Sequence, residues 1–137
     1  MPIRYLLDTN ICIELLKNTH NVRQRIIEKG VKNCYVSEIT LAELYFGAFN
    51  SNNAKERIKD VDFIAEHFET VPVFNSLSLY GKMKALLRRQ GNPIDDFDIL
   101  IGTTAIANDM IMVTDNTKHL SRLEGIKLEN WVERQPL

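Results

Sequence analysis

Ile3-Arg4-Tyr5-Leu6-Leu7-Asp8-Thr9-Asn10 is the stretch that decides how this chain is read. A mostly apolar run with the look of a buried strand passes without a turn into a carboxylate. Directly after it, Asn10–Lys17 places Ile11, Cys12, Leu15 and Leu16 on one face at helical spacing. A strand that feeds a helix in this way opens an alternating strand/helix fold. In open parallel sheets, sites form outside the carboxyl ends of the strands, and Asp8 stands at such an end.

The alternation continues along the chain. Asn21–Lys29 reads as a second helix that stops at Gly30. Asn33–Ser37 is a short strand around Tyr35 and Val36, and Thr40–Asn50 is a helix with apolar Leu41, Leu44, Tyr45, Ala48 and Phe49. Ala54–Phe68 is another helix. Thr70-Val71-Pro72-Val73 is a strand whose proline marks an edge or a strand end. Leu77–Gln90 is amphipathic and closes at Gly91-Asn92-Pro93. Ile94–Asn108 is small or apolar nearly all round, which marks a buried helix. Ile111–Val113 is a strand, His119–Leu123 a helical turn and Ile126–Leu128 a last strand. Glu129–Leu137 is a tail that Trp131 pins to the body. The pattern predicts an α/β fold with a mainly parallel sheet of four to five short strands and helices on both faces. Repeats, linkers and low-complexity tracts are absent, so residues 1–137 are expected to form one domain.

A chain of 137 residues is long enough for a substantial core. No apolar run approaches the roughly 20 residues that span a bilayer, and the start lacks a signal peptide's basic and apolar regions. Both absences predict a cytoplasmic protein. Cys12 and Cys34 have no metal-binding spacing and are expected as reduced, buried thiols. The net charge of −1 offers no global attraction for nucleic acid. An anionic substrate would need a local basic patch or bound cations.

Further acids lie beside buried segments: Glu43, Asp98, and Asp115 next to Asn116 in Thr114-Asp115-Asn116-Thr117. Segment ends that share one edge of a parallel sheet can converge while staying far apart in sequence. Such an oxygen cluster suits hard divalent cations such as Mg²⁺ or Mn²⁺. Without a cation the acids repel, and one of them must hold a proton. Each acid also has a purely structural reading. Asp8 can cap the helix that follows it. Thr40-Leu41-Ala42-Glu43 fits a capping box with Thr40 as N-cap. Asp98 lies with Asp95 and Asp96 in a first helical turn, where the helix dipole favours negative charge.

The acids sit in longer blocks. These are Leu6–Asn10; Ser37-Glu38-Ile39-Thr40-Leu41-Ala42-Glu43-Leu44 with Gly47; Arg89-Gln90-Gly91-Asn92-Pro93-Ile94 and Asp98 before Ile101-Gly102-Thr103-Thr104-Ala105; and Val113–Thr117 with Leu120. In this order they resemble the PIN-domain ribonucleases, and in particular the VapC toxins of bacterial toxin–antitoxin pairs. The resemblance implies a PIN fold and an endoribonuclease that uses Mg²⁺, with Mn²⁺ as substitute. It implies Asp8, Glu43 and Asp98 as metal ligands and catalytic residues. Thr9, Asn10 and Ser37 would line the site, and Thr114 and Asn116 would orient neighbours. At the fourth corner many relatives carry Asp in place of Asn116, or an acid in place of His119. This chain offers Asp115 there, so Asp115 is the further candidate ligand. The implied partners are RNA, with tRNA and the initiator tRNA anticodon loop as expected targets, and a VapB-like antitoxin whose C-terminal segment covers the site. A homodimer that assembles further with the antitoxin is also implied.

Lys82, Lys84, Arg88 and Arg89 form the densest basic stretch, and Arg88 and Arg89 are the candidates for RNA contact. Arg4 is expected to face a partner or to snorkel at a sheet edge. Tyr45, Phe46 and Phe49 fit a helical core or a dimer face. Two other functions compete. A catalytically silent PIN scaffold would bind RNA or protein, but loss of the acids would mark it and they are present. A haloacid-dehalogenase-type phosphatase wants a second acid two residues after the first, where Asn10 stands.

Overall fold

The chain starts in the middle of its own sheet. In the computed structural model, which describes residues 2–134, β1 (Tyr5–Leu7) is the central strand. It is followed by α1 (Thr9–Lys17), α2 (Val22–Lys29), β2 (Cys34–Ser37), α3 (Glu38–Phe49), α4 (Ala54–His67) and β3 (Glu69–Val71). Then come α5 (Leu77–Arg89), α6 (Asp96–Ala107), β4 (Ile111–Val113), α7 (Thr117–Leu120) and β5 (Leu128–Glu129). The five strands lie in the order β3-β2-β1-β4-β5, and every pairing is parallel. The expected α/β architecture is therefore present, with the sheet parallel throughout. Met1 and the last part of the predicted tail, residues 135–137, lie outside the described residues.

Strand alternation divides the core in two. Tyr5 and Leu7, in register with Cys34 and Val36, pack with Val113 against α1, α2, α3 and α4. Leu6 and Met112 point the other way, into a second cluster with Met83 and Leu87 of α5 and Ile99, Ile101 and Ala105 of α6. Both faces of the sheet are thus covered, which explains why its strands are apolar without interruption. Trp131 is buried edge-on against Tyr5, with ring centroids 5.0 Å apart, and anchors the segment after β5. Cys12 and Cys34 are buried free thiols. Among the described residues no helix is long and apolar enough to cross a membrane.

Several boundaries differ from the periodicity, each for a local reason. α3 begins at Glu38, because the Ser37 hydroxyl accepts from the Ile39 amide at 3.0 Å and so caps the helix. Thr40 is then an interior, fully buried residue, and the Thr40–Glu43 capping box does not form. α6 begins at Asp96 rather than Ile94, since the Asp95 carboxylate accepts from the Phe97 amide at 3.2 Å. β3 stops before Pro72 and is an edge strand. Arg4 is not at an edge, because its strand is central, and its guanidinium donates to the Asn108 carbonyl. Phe46 and Phe49 are 71% and 67% exposed, so the core reading fails for them. A Cβ built on Gly102 would meet Leu123 Cδ1, so α6 packs closely on Leu123 there and a larger residue would require that side chain to shift.

This topology also places the site. From β1 the chain moves to β2 and β3, then returns to the opposite side of β1 as β4. Connections leave β1 and β4 in opposite directions, and the crevice that opens at such a switch point is where parallel sheets bind ligands.

Candidate active site

Asp8 occupies that crevice. Its amide donates to the Val113 carbonyl at 2.9 Å, which ties the carboxyl ends of β1 and β4 together. One carboxylate oxygen accepts from the Thr9 amide at 2.8 Å, and the other accepts from the Thr114 hydroxyl at 2.8 Å. The first bond makes Asp8 the N-cap of α1, so the capping reading is correct without exhausting the residue. Asp8 is 3% exposed. Burial pushes its carboxyl up from the ordinary range, and the bonds from Thr114 and Thr9 hold it partly down. Thr114 is itself fully buried and accepts from the Asn116 amide at 3.0 Å.

Glu43 reaches the same place from the second turn of α3. The Thr9 hydroxyl donates to its Oε1 at 2.7 Å and lies 3.3 Å from Thr40 Oγ1. Burial raises the Glu43 carboxyl, Thr9 opposes this, and the charges of Asp8 and Asp95 add to the rise. Asp98, in the first turn of α6, is pushed up to about 6 by burial and then by Asp8, Asp95 and Glu43. The structure thus brings Asp8, Glu43 and Asp98 within reach of one another's charge. It also adds Asp95, which the sequence reading left among the dipole-favoured acids of a helix start. The available signal was spacing: three positions before Asp98, Asp95 sits one turn away on the same side of the helix end.

The sequence pattern of the PIN domain matches residues 5–126. A tRNA(fMet)-specific endonuclease VapC of Shigella flexneri is 32% identical over 131 residues, which cover 94% of this chain and 98% of that protein. The chain belongs to the VapC family of PIN-domain ribonucleases. This PIN domain superposes on a chain of DNA-bound VapBC from Salmonella typhimurium with a TM-score of 0.87 and 29% identity, covering 94% and 98% of the two chains. VapBC2 of Rickettsia felis, bound to a DNA fragment from its promoter, gives 0.85 and 30%, with 94% and 99% covered. Family membership leaves no place for the dehalogenase-type reading.

The donor set of this PIN domain fits a hard divalent cation. It consists of carboxylate oxygens, and no lysine or arginine is among the groups that shift Asp8, Glu43 or Asp98. Nearby on α1, the buried Asn10 Oδ1 has no hydrogen-bond partner among the described residues. Among the described residues no three acidic, histidine or cysteine side chains are closed into a ready-made cage. Mg²⁺ keeps several waters and takes few protein ligands.

Asp115, the further candidate ligand, makes a different set of contacts and is not among the groups that raise Asp98. Arg134 donates to both its oxygens, one bond at 2.9 Å, and Asn130 Nδ2 donates at 3.1 Å. The Arg134 guanidinium holds the Asp115 carboxyl below its usual range, the reverse of the other acids. These bonds link Asn130 and Arg134 to the β4–α7 connection. Ser37 is fully buried and serves as the cap of α3. Arg88 and Arg89 are exposed on the last turn of α5, and neither forms an ion pair among the described residues.

Proposed function

We propose that this PIN domain is a Mg²⁺-dependent endoribonuclease, with Mn²⁺ as substitute, acting in the cytoplasm as the toxin of a VapB–VapC type pair. The observation that carries the reading is the meeting of Asp8, Glu43 and Asp98 at the sheet's switch point with raised proton affinities and, among the described residues, no basic side chain lowering them. These three would hold the metal. When bound, such a cation neutralises phosphate charge and lowers the pKa of water, so that hydrolysis proceeds near neutral pH. The protein's own contribution is positional. Thr114 and the Thr9 amide hold the two oxygens of Asp8, and the Thr9 hydroxyl holds Glu43, which orients these two carboxylates. Hydrolysis breaks the bond from phosphorus to the 3′ oxygen and leaves a 5′-phosphate and a 3′-hydroxyl.

The substrate is read as tRNA, with the initiator tRNA anticodon loop as first choice, following the specificity named for the Shigella relative. The antitoxin partner follows from the VapBC complexes among the structural neighbours. A mostly apolar groove of about 240 Å³ between α1, α3 and α4, bordered by Ile13, Leu16, Ala48 and Val61, runs up to Thr9 and Glu43. A C-terminal antitoxin segment lying there would cover the acids. The exposed rings of Phe46 and Phe49 supply apolar area for a homodimer.

The test is incubation of labelled tRNA with the protein in Mg²⁺, in Mn²⁺ and in EDTA, alongside Asp8→Asn. We expect cleavage in either metal, none in EDTA, and a loss of about a hundredfold or more for the variant, the scale of removing one charge-stabilising group at a reaction centre. Persistence in EDTA or in Asp8→Asn would overturn the metal mechanism. Absence of cleavage of any RNA in any metal would favour the silent scaffold.

A further inference from the structure

Beside the acids lies a second concavity that the mechanism does not use. It is a cleft of about 250 Å³ bounded by Lys84, Leu87 and Arg88 of α5, by Pro93 and Ile94 of the following loop, and by Ile99 of α6. Its floor is apolar: Leu87 and Ile99 are almost fully buried. Its rim is cationic. Tyr80, Lys84 and Arg88 follow one another at four-residue spacing and form one stripe of α5. Lys82 and Arg89, seven residues apart, share a different stripe. The geometry therefore splits the basic stretch into two faces, and only one meets the cleft.

The two rim cations are not equivalent. Lys84 Nζ is 2.7 Å from Asp96 Oδ1, which also accepts from the Tyr80 hydroxyl at 3.0 Å. Lys84 is thus already engaged. Arg88 has no ion pair or side-chain hydrogen bond among the described residues. Arg88 lies close enough to Asp96 to lower its pKa but forms no ion pair with it. An apolar slot with such a guanidinium at its mouth is complementary to a flat, weakly polar group that carries an anion. A nucleotide has that form, with an apolar base face for the aliphatic walls and a phosphate for the arginine.

Position strengthens the match. Ile94 and Ile99 line the cleft, and their immediate neighbours Asp95 and Asp98 belong to the acid cluster. The same helix start therefore presents acids on one side and the cleft on the other. A bound cation serves the reacting phosphate among the carboxylates, and with a net charge of −1 side-chain cations just outside are what the chain can offer the flanking phosphates. Arg88 is so placed. Building on the ribonuclease reading, we infer that this cleft receives a nucleotide flanking the cleaved bond, with Arg88 holding its phosphate and the Leu87–Ile94–Ile99 walls its base.

The test combines Arg88→Ala and Ile94→Trp, which fills the slot, with Lys59→Ala on α4 as a charge control. Thermal unfolding first checks that each folds. Steady-state cleavage of tRNA then gives KM and kcat. Affinity for a fluorescein-labelled single-stranded RNA is measured in Mg²⁺ at several salt concentrations, in the Asp8→Asn background. For Arg88→Ala we expect about tenfold weaker binding, a higher KM at similar kcat, and a salt slope lower by about one. For Ile94→Trp we expect a similar loss with the salt slope unchanged. Arg88→Lys should recover part of the affinity.

If the parent protein cleaves RNA while both cleft variants match Lys59→Ala, the cleft assignment fails and the ribonuclease reading stands. Weakening by Arg88→Ala alone reduces the site to a phosphate contact and overturns the base pocket. Unchanged RNA affinity with altered self-association in light scattering would assign the cleft to a protein contact instead. A parent protein that neither binds nor cleaves RNA removes the function reading and this inference with it.

Discussion

The hydroxyl of Thr114 donates to Asp8 Oδ2 at 2.8 Å, joining residues 106 positions apart at the carboxyl ends of two adjacent parallel strands. It is the strongest lowering influence on a carboxyl that burial drives upward. Asp8 can be both buried and anionic because this donor and the Thr9 amide replace the water it has lost.

Thr114→Val should therefore cost more than its size suggests. Taking the donor from a buried carboxylate is expected to destabilise the fold by about 1–3 kcal/mol near neutral pH. Urea unfolding at pH 7 and pH 5 checks this. The penalty should shrink as pH falls, because protonation lessens the need of Asp8 for the donor, and Thr114→Ser should restore stability. Equal penalties at both pH values would contradict the account.

Metal-free protein should lose stability as pH rises through the acid range. Asp98 titrates near 6 in the folded state against 3.8 in an open chain, and Glu43 and Asp8 are raised in the same direction. Between those values the folded protein keeps protons that the unfolded chain has released, so ΔG of unfolding falls with pH. The contribution is complete below 3.8 and is lost as pH climbs past about 6. Melting curves in EDTA should show this decline for the parent and a flatter one for Asp98→Asn. Parallel curves would rule the coupling out.

Divalent metal should reverse that penalty. At pH 7, Mg²⁺ at about one hundred times its Kd is expected to add about 2.7 kcal/mol by mass action on the folded state. Differential scanning calorimetry with and without Mg²⁺ measures it. Asp8→Asn and Glu43→Gln should lose most of the increment. An increment that survives both changes would place the ion elsewhere.

Asp115→Asn should behave unlike the other acids. Its partners are Arg134 and Asn130, and exposed ion pairs of this kind contribute about 0–1 kcal/mol. Cleavage by this variant is expected to stay within about threefold of the parent, against the hundredfold loss for Asp8→Asn. Arg134→Ala should match it in melting temperature. A loss on the scale of Asp8→Asn would return Asp115 to the metal shell.

Local sequence determined a good deal. The run Tyr5–Leu7 into Asp8, the alternation of apolar strands with helical periods, and the all-round apolar Ile99–Ala107 stretch specify a parallel α/β sheet covered on both faces. Those signals are local, since periodicity and burial pattern belong to single elements. Helix starts were less legible, because Ser37 and Thr40 are both plausible caps and only the backbone chooses Ser37. Spacing alone left the status of each acid open, and only the resemblance singled out Asp8, Glu43 and Asp98. Asp8, Asp98, Asp95 and Asp115 are the same residue type beside similar segments. Yet three share one crevice and the fourth is held by an arginine from the end of the chain. What separates them is which elements meet at the β1–β4 switch point, a relation between segments as many as 106 positions apart. No local pattern encodes such a distance. The sequence by itself determined which residues were available for the chemistry, and tertiary packing decided which of them face one another, because burial and Coulomb coupling act through space.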